Sequence, residues 1–325
     1  MLAAILIVSA LNLVPLNDLG PAQYAWGYFG GLWEDGSNVV PADHLAAGLQ
    51  RAAMIVPRDA NGQPSPTGKI VFLTAGFGET ARITDAFIDM ARNDPRVDHQ
   101  SVVMINAAHD GYDSDQWITP QSAANLNRIR DTLLTPAGVT EKQVQVAWVQ
   151  MVTNFPYHPL PIQDADAYRL KGAIAAALRD LKTRYPNLRI AYLSSRVYGG
   201  YATTLWNPEP YAYESALSNR WVIMGQVELI RTGGPLSDTR IGPIDYRKEQ
   251  VPWLAWGPYL WANGTMPRSD GLTWQADDFE ADGEQLTAKG AQKGAQLLLH
   301  FLLTEPTASW FRSADAPARL RRVHH

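Results

Sequence analysis

Short apolar runs alternate with amphipathic stretches along the chain from residue 69 onward. Five runs predict strands buried on both faces of a sheet, because they are short and apolar over most of their length. These runs are residues 69–75, 101–105, 143–152, 188–194 and 252–256. Apolar residues at helical spacing lie between and after the runs and predict helices. The predicted helices span residues 80–92, 121–134, 164–185, 212–231 and 287–303.

The helix predicted over residues 164–185 has the clearest pattern. Asp164 or Asp166 is expected to cap its N-terminus, and one apolar stripe is expected to face the core. That stripe consists of Leu170, Ile174, Ala177, Leu178 and Leu181. In the last predicted helix, the side chains expected to point inward are Leu297, Leu298 and Phe301.

The alternation of strands and helices predicts an α/β fold with three layers, α/β/α, and a flavodoxin-like parallel sheet of about five strands. We expect one domain over residues 21–312, after an apolar segment at 1–20 and before a tail at 313–325. Residues 17–45 are rich in Gly, Pro and aromatic residues and predict an irregular loop. Residues 59–68 predict a turn-rich connector.

The first residues, Met1–Ala10, are almost entirely apolar, and the apolar character continues to Leu16. This stretch is too short to span a bilayer, and the first basic residue of the chain is Arg51. Three interpretations stay open: a signal peptide with a misassigned start, a buried N-terminal strand, or an interfacial anchor. The first is favoured, so we expect a secreted, periplasmic or cell-surface protein without an integral membrane span.

Composition narrows the possible partners. The 28 basic and 32 acidic residues give a net charge of −4, which gives no reason to expect a nucleic-acid partner. The absence of cysteine excludes disulfides and cysteine chemistry. The histidines show no metal-ligand spacing, so neither a metal nor another cofactor is expected. The 11 tryptophans and 13 tyrosines are compatible with core packing and with stacking on sugars or other flat ligands.

Ligands of parallel sheets bind at the carboxyl ends of the strands. The segments that follow the predicted strands hold much of the polar and glycine content, which favours a binding site there. They are residues 76–80, 106–112, 153–156, 195–201, 257–261 and 277–287.

Several strings in these segments resemble the SGNH (GDSL-type) hydrolase superfamily, and more narrowly a bacterial branch with a Gly-x-Ser-x-Thr first block. The matching strings are GGLWEDGSN, LSSRVYGGYATT, PRSDGLTW and DFEADGEQLTAKGAQKGAQLLLHFL. They extend from about residue 28 to residue 303, which is most of the chain. The resemblance implies ester hydrolysis of the carbohydrate-esterase type. A serine after the first strand attacks the acyl carbon, and the histidine of an Asp-x-x-His block accepts its proton.

Two of the implied catalytic positions are substituted. The nucleophile position in GFGET is Gly78, and the histidine position after Asp282 is Gln285. Glycine has no side chain to attack with, and glutamine cannot act as a general base near neutral pH. For the oxyanion, the resemblance implies a glycine, matched by Gly111, and an asparagine. The asparagine position is matched by either Asn154 or Gln150.

Other residues are candidates for a rebuilt or altered site. His109 lies close to Gly111 in sequence and is the candidate replacement base, although most loop histidines are structural. Glu79 is a candidate acid or base, or simply a favourable charge at a helix start. Arg196 and Tyr198 are expected at the cleft, where they would hold a carboxylate, phosphate or sugar hydroxyl. Alternatively, Arg196 is buried against Glu214 or Asp282.

Three hypotheses for function follow. The leading one is a degenerate esterase-like protein that binds a small polar or glycan ligand with little or no catalysis. The second is an active hydrolase that uses His109, Glu79 and Asp282. The third is a structural or assembly protein that retains only the fold. The sequence leaves open whether any catalysis remains, and it does not indicate an oligomeric state.

Overall fold

The computed structural model describes residues 13–24 and 27–313. Seven strands are defined within them. They are β1 (Gln23–Tyr24), β2 (Tyr28–Phe29), β3 (Ile70–Gly76), β4 (Val102–Asn106), β5 (Val144–Gln150), β6 (Ile190–Leu193) and β7 (Trp253–Trp256). The α-helices are α1 (Leu16–Leu19), α2 (Ala42–Ala52), α3 (Gly78–Arg92), α4 (Gln121–Ile129), α5 (Asp166–Arg184), α6 (Tyr211–Thr232) and α7 (Ala288–Thr304).

A five-stranded, wholly parallel sheet forms the centre of the fold, with the order β4-β3-β5-β6-β7. This is the flavodoxin-like order, in which the chain reverses direction across the sheet between its first and third strands. That reversal lies between β3 and β5, and the ends of β3 and β4 open beside it. The predicted α/β class and all five predicted strands are confirmed.

Successive residues of each strand contribute to two apolar layers on opposite faces of the sheet. On β5, Ala147 and Val149 pack in the layer that includes α4, α5 and α6, while Val146 and Trp148 pack in the layer that includes α3 and α7. The apolar stripe predicted on α5 is buried throughout. Burying both faces explains why the strands are apolar over most of their length. The result is the predicted three-layer arrangement.

The large aromatic residues serve mainly as core. Trp117, Trp148, Trp253, Trp261 and Trp274 are among the largest fully buried side chains. This favours the packing interpretation of the aromatic content, since a buried ring cannot stack on a ligand. None of the helices in the described part of the chain is long and apolar enough to cross a membrane.

The prediction of an irregular loop over residues 17–45 is partly wrong. That region contains α1, the β1–β2 hairpin and the start of α2. Helix α2 has no apolar stripe to reveal it, because its buried positions are His44, Gly48 and Ala52. Gly48 packs against the ring of Trp253 so closely that a β-carbon there would collide with it.

The prediction that Asp164 or Asp166 caps the N-terminus of α5 is also wrong. The helix begins at Asp166, and neither candidate aspartate caps it. The Asp166 carboxylate instead accepts hydrogen bonds from the backbone N–H groups of Tyr157 and His158, both at 2.7 Å. Asp164 lies 3.0 Å from the Nδ1 of His158. Both aspartates therefore hold the loop that precedes the helix.

The described residues before β1 pack onto the domain. Leu13 and Leu16 are buried. The backbone N–H of Leu16 donates to the Tyr259 hydroxyl at 3.1 Å, and the Tyr213 hydroxyl donates to the Val14 carbonyl at 2.9 Å. The interpretations of Met1–Ala10 and almost all of the tail at 313–325 concern residues outside the described part of the chain.

Glu214, in the first turn of α6, joins this N-terminal segment to the rest of the domain. One carboxylate oxygen accepts from the Tyr24 hydroxyl at 2.8 Å and from the Leu160 N–H at 3.0 Å. The other oxygen is buried and has no hydrogen-bond partner among the described residues. Burial raises the pKa of Glu214 from 4.5 to about 8, against the effect of the Tyr24 and Leu160 donors.

The Glu214→Gln variant should lose a pH dependence of stability that the unmodified chain has. The folded-state pKa of Glu214 lies above its unfolded-state pKa, so the protonated carboxyl is the form that favours folding. Its contribution to the free energy of unfolding is fully present below the unfolded-state pKa and is lost as the pH rises through about 8. Between pH 5 and pH 9 we expect the Tm of the unmodified chain to fall relative to the variant by about 4 °C or more. Thermal unfolding across this range tests it, with Glu228→Gln on the same helix as control. A constant difference in Tm would contradict the assignment.

Candidate functional site

A cavity of about 630 Å³ opens at the carboxyl ends of β3, β4 and β6. It lies beside the reversal of strand order, where ligands bind in folds of this type. Its walls come from the segments that follow β3 and β4, from the long loop between β6 and α6, and from the turn before α7. The lining residues are Phe77, Gly78, Glu79, Asp110, Gly111, Tyr112, Arg196, Thr204, Trp206, Asn207, Asp282, Glu284 and Gln285.

A buried ion pair forms the floor of this cavity. Arg196 Nε donates to Glu79 Oε2 at 3.3 Å, and the two residues are only 3% and 2% exposed. Arg196 is therefore buried, as one prediction held, but its partner is Glu79 and neither Glu214 nor Asp282. Its remaining donors are directed at the backbone carbonyls of Trp206 and Asn207 and, at 3.5 Å, that of Glu284. The donors of the guanidinium are thus used for bonds within the protein and are not directed at a ligand.

Glu79 is surrounded by donors. Besides Arg196, it accepts from the Val197 N–H at 3.2 Å and from the side-chain amide of Gln150. Burial raises the pKa of the Glu79 carboxyl, and Arg196 together with these N–H groups opposes the rise. A carboxylate with this environment has no exposed oxygen for proton transfer to a ligand. Its role is to hold the ends of β3 and β6 together.

Gln150, a candidate for binding the oxyanion, lies under the cavity and does not line it. Its amide nitrogen donates to Glu79 and, at 2.9 Å, to the Ser195 carbonyl, and its oxygen accepts from the Thr80 hydroxyl at 2.7 Å. The side chain is fully buried. All of its hydrogen-bonding groups are in use within the protein, so it acts as a brace between β5 and the two neighbouring strand ends.

Gly78 begins α3 at the position that the sequence resemblance gives to a nucleophile. A β-carbon built on this residue would collide with Asp110 Oδ1. Asp110 is exposed, and the same oxygen accepts from the backbone N–H of Gly111 at 3.1 Å. The carboxylate of Asp110 therefore lies where a β-carbon at position 78 would be, and this exposed side chain would have to rotate to admit one.

The turn from Asp282 to Gln285 forms the opposite wall. Asp282 Oδ1 accepts from the backbone N–H groups of Glu284 and Gln285, at 2.9 and 3.0 Å. Gly283 adopts a φ of 69°, and a β-carbon there would overlap the Tyr201 carbonyl. Only glycine fits this position, so the tight turn depends on it. The aspartate orients its own backbone and does not contact a base.

Gln285 is held by Arg82, which donates to its side-chain oxygen. Arginine has no acceptor, so the oxygen of the amide must face Arg82 and the NH₂ group must face away from it. Arg82 also donates to the Leu286 carbonyl at 3.1 Å. The position that the resemblance gives to a base thus carries an amide that cannot accept a proton from a hydroxyl.

The structure brings six of the predicted site residues together around the cavity. They are Gly78, Glu79, Gly111, Arg196, Asp282 and Gln285. His109, Asn154 and Tyr198 are not among the residues that line it. Tyr198 packs edge-on against Tyr201 and Trp261.

His109 is occupied by local contacts. Its ring stacks on Tyr112, with centroids 4.3 Å apart, and its Nδ1 donates to the Asp110 carbonyl at 2.6 Å. The exposed Asn154 precedes Phe155, whose ring contacts Trp206 at a centroid distance of 5.0 Å. Among the described residues, neither His109 nor Asn154 contacts a carboxylate that could orient it for catalysis.

Sequence reasoning missed Asp110, Trp206 and Glu284 as site residues. Asp110 stands next to His109 in the loop after β4, so its position after a strand was a usable signal. Trp206 and Glu284 lie in long loops where no periodic pattern marks a residue. Glu284 accepts from the Thr204 hydroxyl, which in turn accepts from the Trp206 N–H at 3.1 Å.

Partial burial raises the pKa of Glu284, and the neighbouring Asp282 adds to the rise, while Thr204 and Arg196 lower it. Within the described ranges, no group of three acidic or histidine side chains is placed to hold a metal ion. The cavity is therefore acidic without being a metal centre of that kind.

No protein-family model matches the chain, and no curated protein matches it. Several solved structures are similar to it. A proposed acylhydrolase from Bacteroides fragilis is 11% identical, with 82% of this chain and 98% of that chain covered and a TM-score of 0.39. A proposed GDSL-like lipase from Parabacteroides merdae is 14% identical, with 78% and 98% covered and a TM-score of 0.35.

The C-terminal catalytic domain of peptidoglycan O-acetyltransferase A from Streptococcus pneumoniae is 9% identical, with 75% of this chain and 97% of that chain covered and a TM-score of 0.33. At these identities and TM-scores we draw no conclusion about activity from the three similarities.

Glu79→Ala should destabilise the protein strongly, because it leaves the Arg196 guanidinium buried without a counter-charge. We expect the free energy of unfolding to fall by about 3–5 kcal/mol. Denaturant unfolding measures it. The control is Asp89→Ala on the same helix, which removes a pair with Arg92 whose side chains are 75% and 69% exposed, and which should cost about 1 kcal/mol or less. Equal losses from both variants would show that the pair is not a structural constraint.

Proposed function

We propose that this chain is an SGNH (GDSL-type) hydrolase-like protein that binds a small polar ligand in its cleft and does not hydrolyse esters. The observation that carries the proposal is the nucleophile position. Gly78 offers no nucleophile, and the Asp110 carboxylate fills the space beside it. A negative charge at that point would also oppose the oxyanion that forms during acyl transfer.

The base position supports the same conclusion. Gln285 does not ionise, and its oxygen is bound by Arg82. Losing one member of a catalytic triad already removes orders of magnitude in rate. With no nucleophile at position 78 and an amide held by Arg82 at position 285, the site is better suited to binding than to nucleophilic attack.

The two other hypotheses receive less support. A rebuilt hydrolase would need His109, Glu79 and Asp282 to act together, yet Glu79 is paired with Arg196 and His109 does not line the cavity. A purely structural protein has no need for a cavity of about 630 Å³ at the strand ends. The retained cavity favours a ligand, and we propose that the ligand is a small molecule or part of a glycan.

Reconstructing the triad tests this proposal. We expect the unmodified chain to hydrolyse p-nitrophenyl acetate no faster than a heat-denatured sample. Gly78→Ser/Gln285→His should stay nearly inactive, since the Asp110 carboxylate remains beside the serine. Adding Asp110→Ala should raise the serine-dependent rate by about tenfold or more, because it removes a charge that opposes the oxyanion.

The control for this series is Gly78→Ala/Asp110→Ala/Gln285→His, which has the same scaffold changes and no hydroxyl. Its rate should match the background. Turnover by the unmodified chain, at a rate that purification to homogeneity does not reduce, would overturn the proposed loss of catalysis.

A further inference from the structure

The charges around the cavity are unbalanced. Among the described residues that line it, four carry carboxylates and one, Arg196, is basic. Arg196 and Glu79 neutralise each other in the floor. The carboxylates of Asp110, Asp282 and Glu284 therefore remain, and they carry about three negative charges when ionised.

These three carboxylates have no basic partner within ion-pair distance among residues 13–24 and 27–313. Their hydrogen bonds come from neutral groups: the Gly111 N–H, the Glu284 and Gln285 N–H groups, and the Thr204 hydroxyl. An anionic ligand would be repelled by three carboxylates, and the Arg196 guanidinium is already bonded to Glu79 and to backbone carbonyls. The cavity is therefore unsuited to a carboxylate or phosphate, which Arg196 was expected to hold.

The aromatic walls give independent information. The Arg196 guanidinium lies over the ring of Phe77 at 5.9 Å, and that of Arg128 lies over Tyr112 at 5.6 Å. In the described part of the chain no cationic group lies over Trp206, the third aromatic side chain of the cavity. An indole face is the strongest aromatic site for a cation.

The backbone of Trp206 and the carboxylate of Glu284 are fixed on one wall. The Glu284 carboxylate accepts from the Thr204 hydroxyl, which accepts from the backbone N–H of Trp206 at 3.1 Å. The Trp206 carbonyl accepts from Arg196 at 2.9 Å. The carboxylate and the segment that carries the indole are thereby held in place before any ligand binds, which lowers the entropic cost of binding.

We propose that the cavity binds a small organic cation, with the ammonium group beside Trp206 and the carboxylates of Glu284, Asp282 and Asp110. This inference rests on the proposed ligand-binding function and specifies the class of ligand. The carboxylates surround the space and do not converge as metal ligands do, which suits a group larger than a metal ion. The cation offsets their repulsion and lies against the indole of Trp206, which no cationic group of the described residues covers.

Choline and its neutral isostere 3,3-dimethyl-1-butanol are the probes, because they share their shape and differ in charge. We expect isothermal titration calorimetry to give choline a Kd in the millimolar range, tighter than that of the isostere by about tenfold or more. Glu284→Gln and Trp206→Leu should each weaken choline binding by about fivefold or more, without the same loss for the isostere. Asp89→Asn, which changes the net charge equally but lies outside this cavity, should leave both affinities unchanged.

The pH dependence gives a second readout, since the charge of choline does not titrate. The groups facing Glu284 are Asp282, Arg196 and Thr204, and its pKa is raised. Choline should therefore bind more tightly as the pH rises through that pKa, and Glu284→Gln should reduce this change. Circular dichroism of each variant verifies that the fold is intact.

Equal affinities for choline and the isostere, or no choline binding at about 100 mM, would overturn the inference. Neither result bears on the proposed loss of catalysis, because that proposal rests on the residues at positions 78 and 285 and not on the class of ligand. Conversely, ester turnover by the unmodified chain would overturn the proposed function and leave the measured preference for a cation intact.

Discussion

The buried pair between Glu79 and Arg196 is the constraint on which the site depends. An isolated charge in this position would carry a large desolvation cost, so each residue requires the other. Glu79 lies in the first turn of α3, and Arg196 follows β6, which is two strands away from β3 in the sheet. The carbonyls of Trp206 and Asn207 accept hydrogen bonds from the guanidinium. The pair therefore fixes three segments at once, and the cavity is the space above them.

The same pair determines what the cavity can do. Because the pair neutralises Arg196, the remaining charged side chains of the cavity lining are carboxylates. Because Arg196 also binds the Trp206 carbonyl, the backbone of the wall that carries this indole is in place without a ligand. Gln150 extends this arrangement to the neighbouring strand by donating to Glu79 and to the Ser195 carbonyl. The floor and the wall of the cavity thus share one hydrogen-bond network, so a change to the floor alters the wall.

The sequence predicts the sheet and the strand-end loops well, since a short run that is apolar over most of its length is typical of a strand buried on both faces. It does not reveal α2, whose buried face is His44, Gly48 and Ala52 and therefore lacks an apolar pattern.

For the site, the sequence places Arg196 near the cleft but misassigns its partner, because several acidic residues are available and only the fold selects Glu79. Gly78 and Gln285 can be singled out from the sequence, while the approach of Asp110 to Gly78 depends on how two segments of the fold meet.

The contact between Asp110 and Gly78 has a consequence for engineering the site. A serine introduced at position 78 would stand beside a carboxylate, a histidine introduced at position 285 would stand beside Arg82, and removal of Asp110 alone would leave no nucleophile. A design that aims at acyl transfer must therefore treat the loop after β4, the start of α3 and the turn before α7 as one unit, because a single substitution leaves the other two obstacles in place.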